Sequence, residues 1–199
     1  MRWALWALAV LGAMAALAAL CFPTLSNWYA ASRQHALADR LDDPTVAGQV
    51  RSGVVGDGQP IGRISIPAIG LDAVVVEGTD AGDLAEGPGH YASTPMPCTT
   101  GNAGIAGHRT TFLHPFYDLD QLRPGDLITI TTRAATCSYS VSTPPFAVAP
   151  TDVSVIAANP GSTLTLTTCT PRGSAAERLV VRAVLVPSSL RPAPAPGDK

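Results

Sequence analysis

The sequence has little charge of either sign and no concentrated basic region. Its 199 residues include 13 Lys and Arg and 15 Asp and Glu, so the formal net charge is only −2. There is no basic stripe, and aromatic residues do not alternate with basic ones. Because proteins that bind nucleic acids carry a basic surface, we expect no nucleic-acid partner.

Motifs for bound phosphates and metal ions are missing as well. No glycine-rich phosphate loop is followed by a helix, and the four cysteines and four histidines show no C-x-x-C or H-x-x-x-H spacing. Such spacings are typical of zinc sites, so the sequence predicts neither a metal site nor a cofactor. Four aspartates are interpreted as turn formers: Asp72, Asp118, Asp120 and Asp126.

One long apolar run stands near the amino terminus. Residues 3–22 contain no charge, and twenty helical residues are long enough to cross the hydrocarbon core of a membrane. Arg2 precedes the run and the next charged residue is Arg33, so the positive-inside rule predicts a cytoplasmic amino terminus. We expect residues 1–23 to form a single-pass anchor in the cell membrane, with the rest of the chain outside. The alternative is a cleaved signal peptide, because residues 13–15 and 16–18 resemble cleavage sites.

Three further regions follow the predicted anchor. Residues 24–61 combine a juxtamembrane helix with a flexible linker: 27–41 has helical spacing without Pro or Gly, whereas 42–60 is rich in both. Residues 62–187 are long enough to bury one core and form the predicted catalytic domain. The proline-rich tail, residues 188–199, is predicted to be disordered.

The folded region contains short runs rich in β-branched residues, separated by Gly and Pro. This pattern is typical of an all-β barrel or sandwich. We predict short helical turns near residues 80–85, 112–119 and 151–157. The predicted strands are 63–66, 73–76, 103–107, 127–132, 136–142, 164–168 and 179–186.

The most informative stretch is Leu164 to Arg182. Side chains alternate along a strand, so Cys169 faces away from the leucines at 164 and 166. Thr170-Pro171 ends that strand, and a second begins just after Arg178. If the two strands pair in antiparallel fashion, Arg178 lies opposite Cys169, where a guanidinium would stabilise a thiolate or an oxyanion.

A reactive thiol also needs a proton carrier, and His108 is the candidate. It ends the run G-N-A-G-I-A-G-H-R, whose small residues suit a tightly packed strand.

These elements together resemble the sortase family of cysteine transpeptidases, and most closely the actinobacterial class E sortases. The resemblance runs from about Gly62 to Val186. It includes R-I-S-I-P-A-I-G-L-D at 63–72, E-G-P-G-H-Y at 86–91, P-F-Y-D-L-D-Q-L-R-P-G-D at 115–126 and T-L-T-T-C at 165–169. It implies an eight-stranded sortase β-barrel with short helices. By the same resemblance Cys169 is the nucleophile that forms an acyl-thioester, His108 the proton donor and acceptor, and Arg178 the residue that positions the substrate and its oxyanion.

The resemblance also implies the reaction and its partners. Sortases of this type cleave a Leu-Ala/Pro-x-Thr-Gly sorting signal between Thr and Gly on secreted surface proteins, and join the Thr carboxyl to an amine such as that of lipid II. Tyr91 and Thr168 are candidate substrate-binding residues, although Tyr91 could equally be a packing residue. No long lid with a plug motif occurs between Ile66 and Ala103, which favours a housekeeping sortase over a pilin-polymerising one. A hydrolase that uses the same site, or an inactive binding module, would also fit the sequence.

Each of the three site residues has a structural interpretation when it is taken alone. A strand cysteine is usually a small buried hydrophobic residue, a histidine after a strand often caps a turn, and an arginine at a strand start is usually solvated. The functional interpretation is favoured because all three occur together in the expected order. Arg172 and Arg182 are rival arginines, which we interpret as structural or substrate-lining.

Two further cysteines could form a disulfide. The implied chemistry requires Cys169 to be free, and Cys21 lies in the apolar run, so Cys98 and Cys137 remain as a possible pair in a compartment that permits disulfides. Two independent buried thiols are the alternative.

Overall fold

The computed structural model describes residues 2–192, and its main feature is a ten-stranded β-sheet with antiparallel and parallel pairs. The strands are, in chain order, β1 (Pro60–Ile66), β2 (Leu71–Glu77), β3 (Gly89–His90), β4 (Gly101–Ala106), β5 (Leu127–Thr132), β6 (Ala135–Val141), β7 (Phe146–Val148), β8 (Ser162–Thr170), β9 (Glu177–Leu185) and β10 (Arg191–Pro192).

Eight of these strands form a closed barrel. Their order is β6-β5-β1-β2-β3-β4-β8-β9, and β9 pairs with β6 to complete the circle. The two short remaining strands are additions: β7 pairs with β9, and β10 pairs with β6. Neighbouring barrel strands are antiparallel except for β2 with β3 and β4 with β8, which are parallel. The prediction of an eight-stranded all-β barrel is confirmed.

One barrel strand, β3, is absent from the predicted strands. It contains only Gly89 and His90, and two residues are too few for any alternation to be visible. The seven predicted strands correspond to β1, β2, β4, β5, β6, β8 and β9.

The inward-facing residues of the strands fill the barrel. Leu164 and Leu166 of β8 are fully buried in the core, and burying one such side chain contributes about 1.5–3 kcal/mol. Because these leucines occupy the inner face of β8, Thr165, Thr167 and Cys169 lie on its other face.

A long helix, α1 (Arg2–Leu41), precedes the barrel. Its segment Leu5–Leu41 contains an 18-residue window with a mean hydropathy of 2.3, and none of that window is buried within the protein. By length and composition this helix could cross a membrane once.

The carboxy-terminal half of α1 packs against β2. The Gln34 amide accepts a hydrogen bond from the Val74 N–H at 2.7 Å and donates one to the Val74 carbonyl at 3.0 Å. The Gln34 side chain therefore bonds the backbone of β2 at Val74, which lies outside the two-residue pairing of β2 with β3. Leu37 is buried against Val74 and Val76. The juxtamembrane helix expected at 27–41 is continuous with the apolar run and packs on the barrel.

A second helix occupies a region whose composition predicted a flexible arm. α2 (Pro44–Ser52) places Val46 and Val50 in the main hydrophobic core. Pro44 is its first residue, and Gly53 ends it in the left-handed conformation with a φ of 70°. Proline at the start and glycine just past the end are typical of a helix, so the linker expectation is wrong for these residues.

The short helical turns agree only partly with the sequence patterns. α3 (Ala81–Glu86) and the 3-10 turn Val153–Ile156 lie at predicted positions. In the predicted region 112–119, the only helical turn is the beginning of the 3-10 turn Leu119–Gln121. Residues 112–114 are left-handed instead.

The beginning of the proline-rich tail is ordered, contrary to expectation. A 3-10 turn covers Pro187–Ser189, and β10 pairs with β6. The Ser189 hydroxyl accepts a hydrogen bond from the Ser138 N–H at 2.8 Å. The rest of the predicted disordered tail, residues 193–199, lies outside the described residues.

Candidate active site

Two parallel strands bring His108 and Cys169 to the same end of the barrel. β4 runs parallel to β8, with Ala106 paired with Thr167. The N–H of Gly107 donates to the Thr167 carbonyl at 3.1 Å, so the pairing extends beyond the end of β4. Continuing the register from the Ala106–Thr167 pair by two residues places His108 beside Cys169.

Thr168 fastens the end of β8 to the residue before the histidine. Its hydroxyl donates to the Gly107 carbonyl at 2.7 Å, and the residue is 3% exposed. Its side chain points to the opposite face of β8 from Cys169. The expectation that Thr168 binds substrate does not fit this position, because its hydroxyl is buried and already bonded. Its contact supports the backbone at His108 instead.

Arg178 lies directly across from Cys169. β9 is antiparallel to β8, and the register pairs these two residues as the sequence pattern predicted. Cys169 is a free, half-buried thiol, and Arg178 is half-buried. The guanidinium donates to the carbonyl groups of Ala175 and Glu177, both at 3.3 Å. These hydrogen bonds are long, so they restrain the guanidinium only weakly.

His108 is half-buried beside an aromatic ring. The ring centroids of His108 and Phe112 are 5.1 Å apart, with the planes inclined by 31°. Burial lowers the pKa of His108 from its ordinary value of 6.5, because desolvation disfavours the charged imidazolium. Among residues 2–192, neither ring nitrogen of His108 has a hydrogen-bond partner, and burial is the only cause of its pKa shift. Packing against Phe112 therefore orients this imidazole.

A second arginine, Arg109, ties the histidine segment to the nucleophile's strand. It is 4% exposed, and its Nη1 donates to Thr170 Oγ1 at 2.9 Å and to the Cys169 carbonyl at 3.4 Å. Asp120 forms an ion pair with it at 2.9 Å. Sequence reasoning missed Arg109, because its partners are remote along the chain and the only signal was its place directly after His108. Asp120, interpreted as a turn former, is thus also an ion-pair partner.

Tyr91 covers the outer face of β4 and β8 next to the site. Its hydroxyl lies 2.9 Å from Thr167 Oγ1. A Cβ on Gly104 would stand 2.8 Å from the tyrosine ring, so a glycine at 104 lets the ring lie close to the sheet. Tyr91 is half-buried. Its contact on β8, Thr167, is two residues before Cys169, so an extended peptide bound at Cys169 could reach the tyrosine ring.

The residue before Tyr91 is held by a buried polar pair. His90 Nδ1 lies 2.9 Å from Glu77 Oε2, and its Nε2 lies 3.1 Å from the Pro95 carbonyl. Because a carbonyl can only accept, Nε2 carries a proton. His90 is 1% exposed and Glu77 is 5% exposed, so this pair fixes the backbone that presents Tyr91.

The two rival arginines have other partners. Arg172 donates to Asp118 at 3.1 Å and to Asp120 at 2.9 Å, and it stacks 4.3 Å from the centre of the Tyr117 ring. Arg182 lies 5.5 Å from the centre of the Phe146 ring. Neither is paired with Cys169 across β8 and β9.

A disulfide joins Cys98 to Cys137, with Cα atoms 5.6 Å apart. It links the loop before β4 to β6, and both residues belong to the hydrophobic core. Cys21 and Cys169 are the free cysteines of the described region, and no metal-binding group of three or more His, Cys, Asp or Glu occurs within residues 2–192.

The order of these elements matches a known protein family. The sortase domain model matches residues 64–186, which contain His108, Cys169 and Arg178. The chain belongs to the sortase family. The predicted membership is confirmed, and members of this family are cysteine transpeptidases.

The relatives of this sortase include class E members. It is 32% identical over 181 residues to Sortase SrtE1 of Streptomyces coelicolor, and the alignment covers 81% of the chain and 51% of SrtE1. The structure of sortase E from Streptomyces avermitilis is 36% identical with a TM-score of 0.61, covering 69% of this chain and 93% of that one. A structure of Sortase E1 from Streptomyces coelicolor with a tripeptide in the active site is 31% identical and has a TM-score of 0.62. The match covers 68% of this chain and 91% of that one. The sortase therefore spans about half the length of the curated relative SrtE1.

Proposed function

We propose that this sortase is a class E cysteine transpeptidase in which Cys169, His108 and Arg178 carry out the reaction. One observation carries the proposal. β8 pairs with β4 on one side and with β9 on the other, in registers that bring these three residues to one end of the barrel. Nucleophile, proton carrier and cation are the groups that acyl transfer through a thioester needs.

The proposed reaction has two halves. The Cys169 thiolate attacks the carbonyl carbon of the Thr-Gly bond, and Arg178 stabilises the negative charge on the oxygen. His108 then protonates the departing glycine amine, so the C–N bond breaks and a thioester remains. An acceptor amine attacks the thioester, His108 takes the proton from that amine, and the Cys169 thiolate leaves.

The proposed substrate is a Leu-Ala/Pro-x-Thr-Gly sorting signal near the carboxyl end of a secreted surface protein. The proposed acceptor is an amine of the cell-wall precursor lipid II. The tripeptide in the active site of Streptomyces coelicolor Sortase E1 supports a peptide substrate. Tyr91 is our candidate for reading the residue after Leu, because its ring covers Gly104 on the face of the sheet that leads to Cys169.

We further propose that α1 anchors the enzyme in the cell membrane with its amino terminus in the cytoplasm and the barrel outside. The apolar window of α1 and the position of Arg2 before it support this orientation. The charge-free run ends where α1 begins to pack on the barrel, so the catalytic domain would stand directly on the membrane surface.

A labelled peptide containing Leu-Ala-x-Thr-Gly tests the function. With wild-type enzyme and a glycine-based amine we expect release of the glycine fragment, a ligated product, and a thioacyl adduct on Cys169 by mass spectrometry. Product that contains only the free Thr carboxyl, whatever the amine concentration, would identify a hydrolase. Joining of pilin subunits through a lysine side chain would identify a polymerising sortase instead. A chain that forms no adduct would contradict enzymatic function.

A further inference from the structure

The segment that follows the catalytic histidine adopts an unfavourable backbone conformation. We call residues 108–116 the His108 loop. Within it, Phe112, Leu113 and His114 have φ values of 51°, 62° and 40°. Three consecutive left-handed residues with side chains are disfavoured by contacts of Cβ with the backbone. Such a conformation persists only where the surroundings hold it in place.

The surroundings that hold this loop belong to α1. The N–H of Leu113, at the centre of the left-handed residues, donates to Asn27 Oδ1 at 2.8 Å. Five residues earlier on α1, the Phe22 ring meets the Phe112 ring edge-on, with centroids 6.2 Å apart and planes at 85°. This edge-to-face arrangement is favourable for two aromatic rings.

Phe112 is also the residue that packs on the imidazole of His108. Because no described group hydrogen-bonds the imidazole nitrogens, the orientation of His108 depends on Phe112. A continuous set of contacts therefore runs from α1 through Phe112 to His108. At the other end of the loop, the Phe116 N–H donates to the His108 carbonyl at 3.1 Å, so that contact is local to the loop.

We propose that α1 completes the active site: Asn27 and Phe22 are positioning residues that hold the His108 loop so that Phe112 orients His108. The catalytic role of His108 in this statement rests on the proposed function. The structural part of the proposal does not depend on that function: α1 fixes the His108 loop, and Phe112 of that loop covers the imidazole. The helix with the features of a membrane span is then more than a tether, because its removal would release the catalytic histidine.

The shielding has a measurable consequence for protonation. Burial lowers the pKa of His108, and the Phe112 ring is part of the cover. If the loop is released, water reaches the imidazole and its pKa rises toward the ordinary value of 6.5. On the neighbouring strands, the registers place Cys169 next to His108 and Arg178 across from Cys169, and both residues are the same in every variant proposed below.

The test uses the full chain in lipid nanodiscs with isotope-labelled histidine, titrated by NMR. Subtracting the spectrum of His108→Gln identifies the His108 signal. We expect its pKa to rise in Asn27→Leu and in Phe22→Ala. Asn27→Asp retains an acceptor oxygen but adds a negative charge that itself raises the pKa of a nearby imidazole, so this variant is compared by its rate and not by its titration. The control is Trp28→Ala, which changes a residue of α1 that is 72% exposed and should leave the titration unchanged.

Kinetics supply the second readout. In Asn27→Leu and Phe22→Ala the rate of thioester formation should fall at least about tenfold with little change in KM, because loss of orientation affects the chemical step. Asn27→Asp should restore the wild-type rate. Unchanged titration of His108 in both Asn27→Leu and Phe22→Ala would overturn the proposal. The titration needs no substrate, so a wild-type chain without activity on peptides would overturn the proposed function and leave this inference to be judged by the pKa values.

Discussion

Cys169 contributes little packing energy, because it is half-buried on the outer face of the last part of β8. Its importance should therefore be chemical. We expect Cys169→Ala to abolish thioacyl formation and turnover while the melting temperature stays near that of wild type. Mass spectrometry with a labelled peptide, together with thermal unfolding, checks both statements. Release of the glycine fragment at the wild-type rate would refute the assignment of the nucleophile.

Arg178 offers a sharper test, because lysine retains its charge. A planar guanidinium can contact a substrate carbonyl and an oxyanion at once, whereas an ammonium acts as a point charge. We expect Arg178→Lys to lower kcat by about 100-fold or more, as for the loss of one oxyanion donor. Arg172→Lys is the matched control, since Arg172 bonds Asp118 and Asp120 and not the residues beside the thiol. Equal activity of Arg178→Lys and wild type would make Arg178 a structural residue.

His108 links the site to the pH dependence of stability. Burial lowers its pKa below 6.5 in the folded protein, so the folded state binds this proton less readily than the unfolded chain. Its contribution to stability is thus present above about pH 6.5 and is lost as the pH falls through the lower folded pKa. Between about pH 7.5 and pH 5, His108→Gln should lose less free energy of unfolding than wild type. Urea unfolding at the two pH values measures this difference, and equal losses would contradict it.

Among the elements, the disulfide has the largest expected effect on stability. It joins residues 39 positions apart, and closing a loop of that length restricts the unfolded chain by about 3 to 4 kcal/mol, less any strain. We expect the double variant Cys98→Ser, Cys137→Ser to have a lower melting temperature than wild type. It should retain transpeptidase activity, because neither residue enters the proposed reaction.

Thiol counting checks the bridge directly. The denatured full chain, kept without reductant, should show two reactive thiols, those of Cys21 and Cys169. Four reactive thiols would show that Cys98 and Cys137 are independent.

How well an element could be predicted depended on how far apart its determinants lie in the sequence. The alternation from Leu164 to Cys169 predicted β8 and the outward direction of the thiol, because period two is visible within one strand. β3 has only two residues and exists because it bridges β2 and β4. The composition around α2 did not predict a helix, because Pro44 and Gly53 are as common in linkers as at the two ends of a helix.

The same distinction applies to the site. The positions of Cys169, Arg178 and His108 at strand ends were predicted from recognisable motifs, and their catalytic roles stay predictions. Arg109 and Phe112 were not predicted, because their roles depend on contacts that only the folded structure creates. Arg109 contacts Cys169 and Asp120, and Phe112 contacts Phe22. The prediction that Thr168 binds substrate conflicts with its position in the alternation, which places it opposite Cys169. Its hydroxyl on the Gly107 carbonyl shows the supporting role that it has instead.

For the whole molecule, the central prediction concerns the membrane. We expect the full chain to sediment with membranes and to resist extraction by high salt, because its apolar helix is long enough to cross the hydrocarbon core. Amino-terminal sequencing of the mature protein should begin at or directly after Met1. A new terminus near residue 16 or 19 would instead identify a cleaved signal peptide, and Phe22 and Asn27 would then remain in the mature enzyme.

The disulfide joins two cysteines that both precede the nucleophile in the chain. If the chain crosses the membrane starting from the segment next to the α1 anchor, Cys98 and Cys137 reach the oxidising side before Cys169 emerges. Cys98 and Cys137 can then be oxidised to the disulfide before Cys169 has crossed the membrane. A non-native disulfide to Cys169 therefore forms less readily. The arrival of β9 then closes the barrel through its pairing with β6 and places Arg178 across from Cys169. The order of the cysteines in the chain would thus favour the Cys98–Cys137 bridge over a bridge to Cys169.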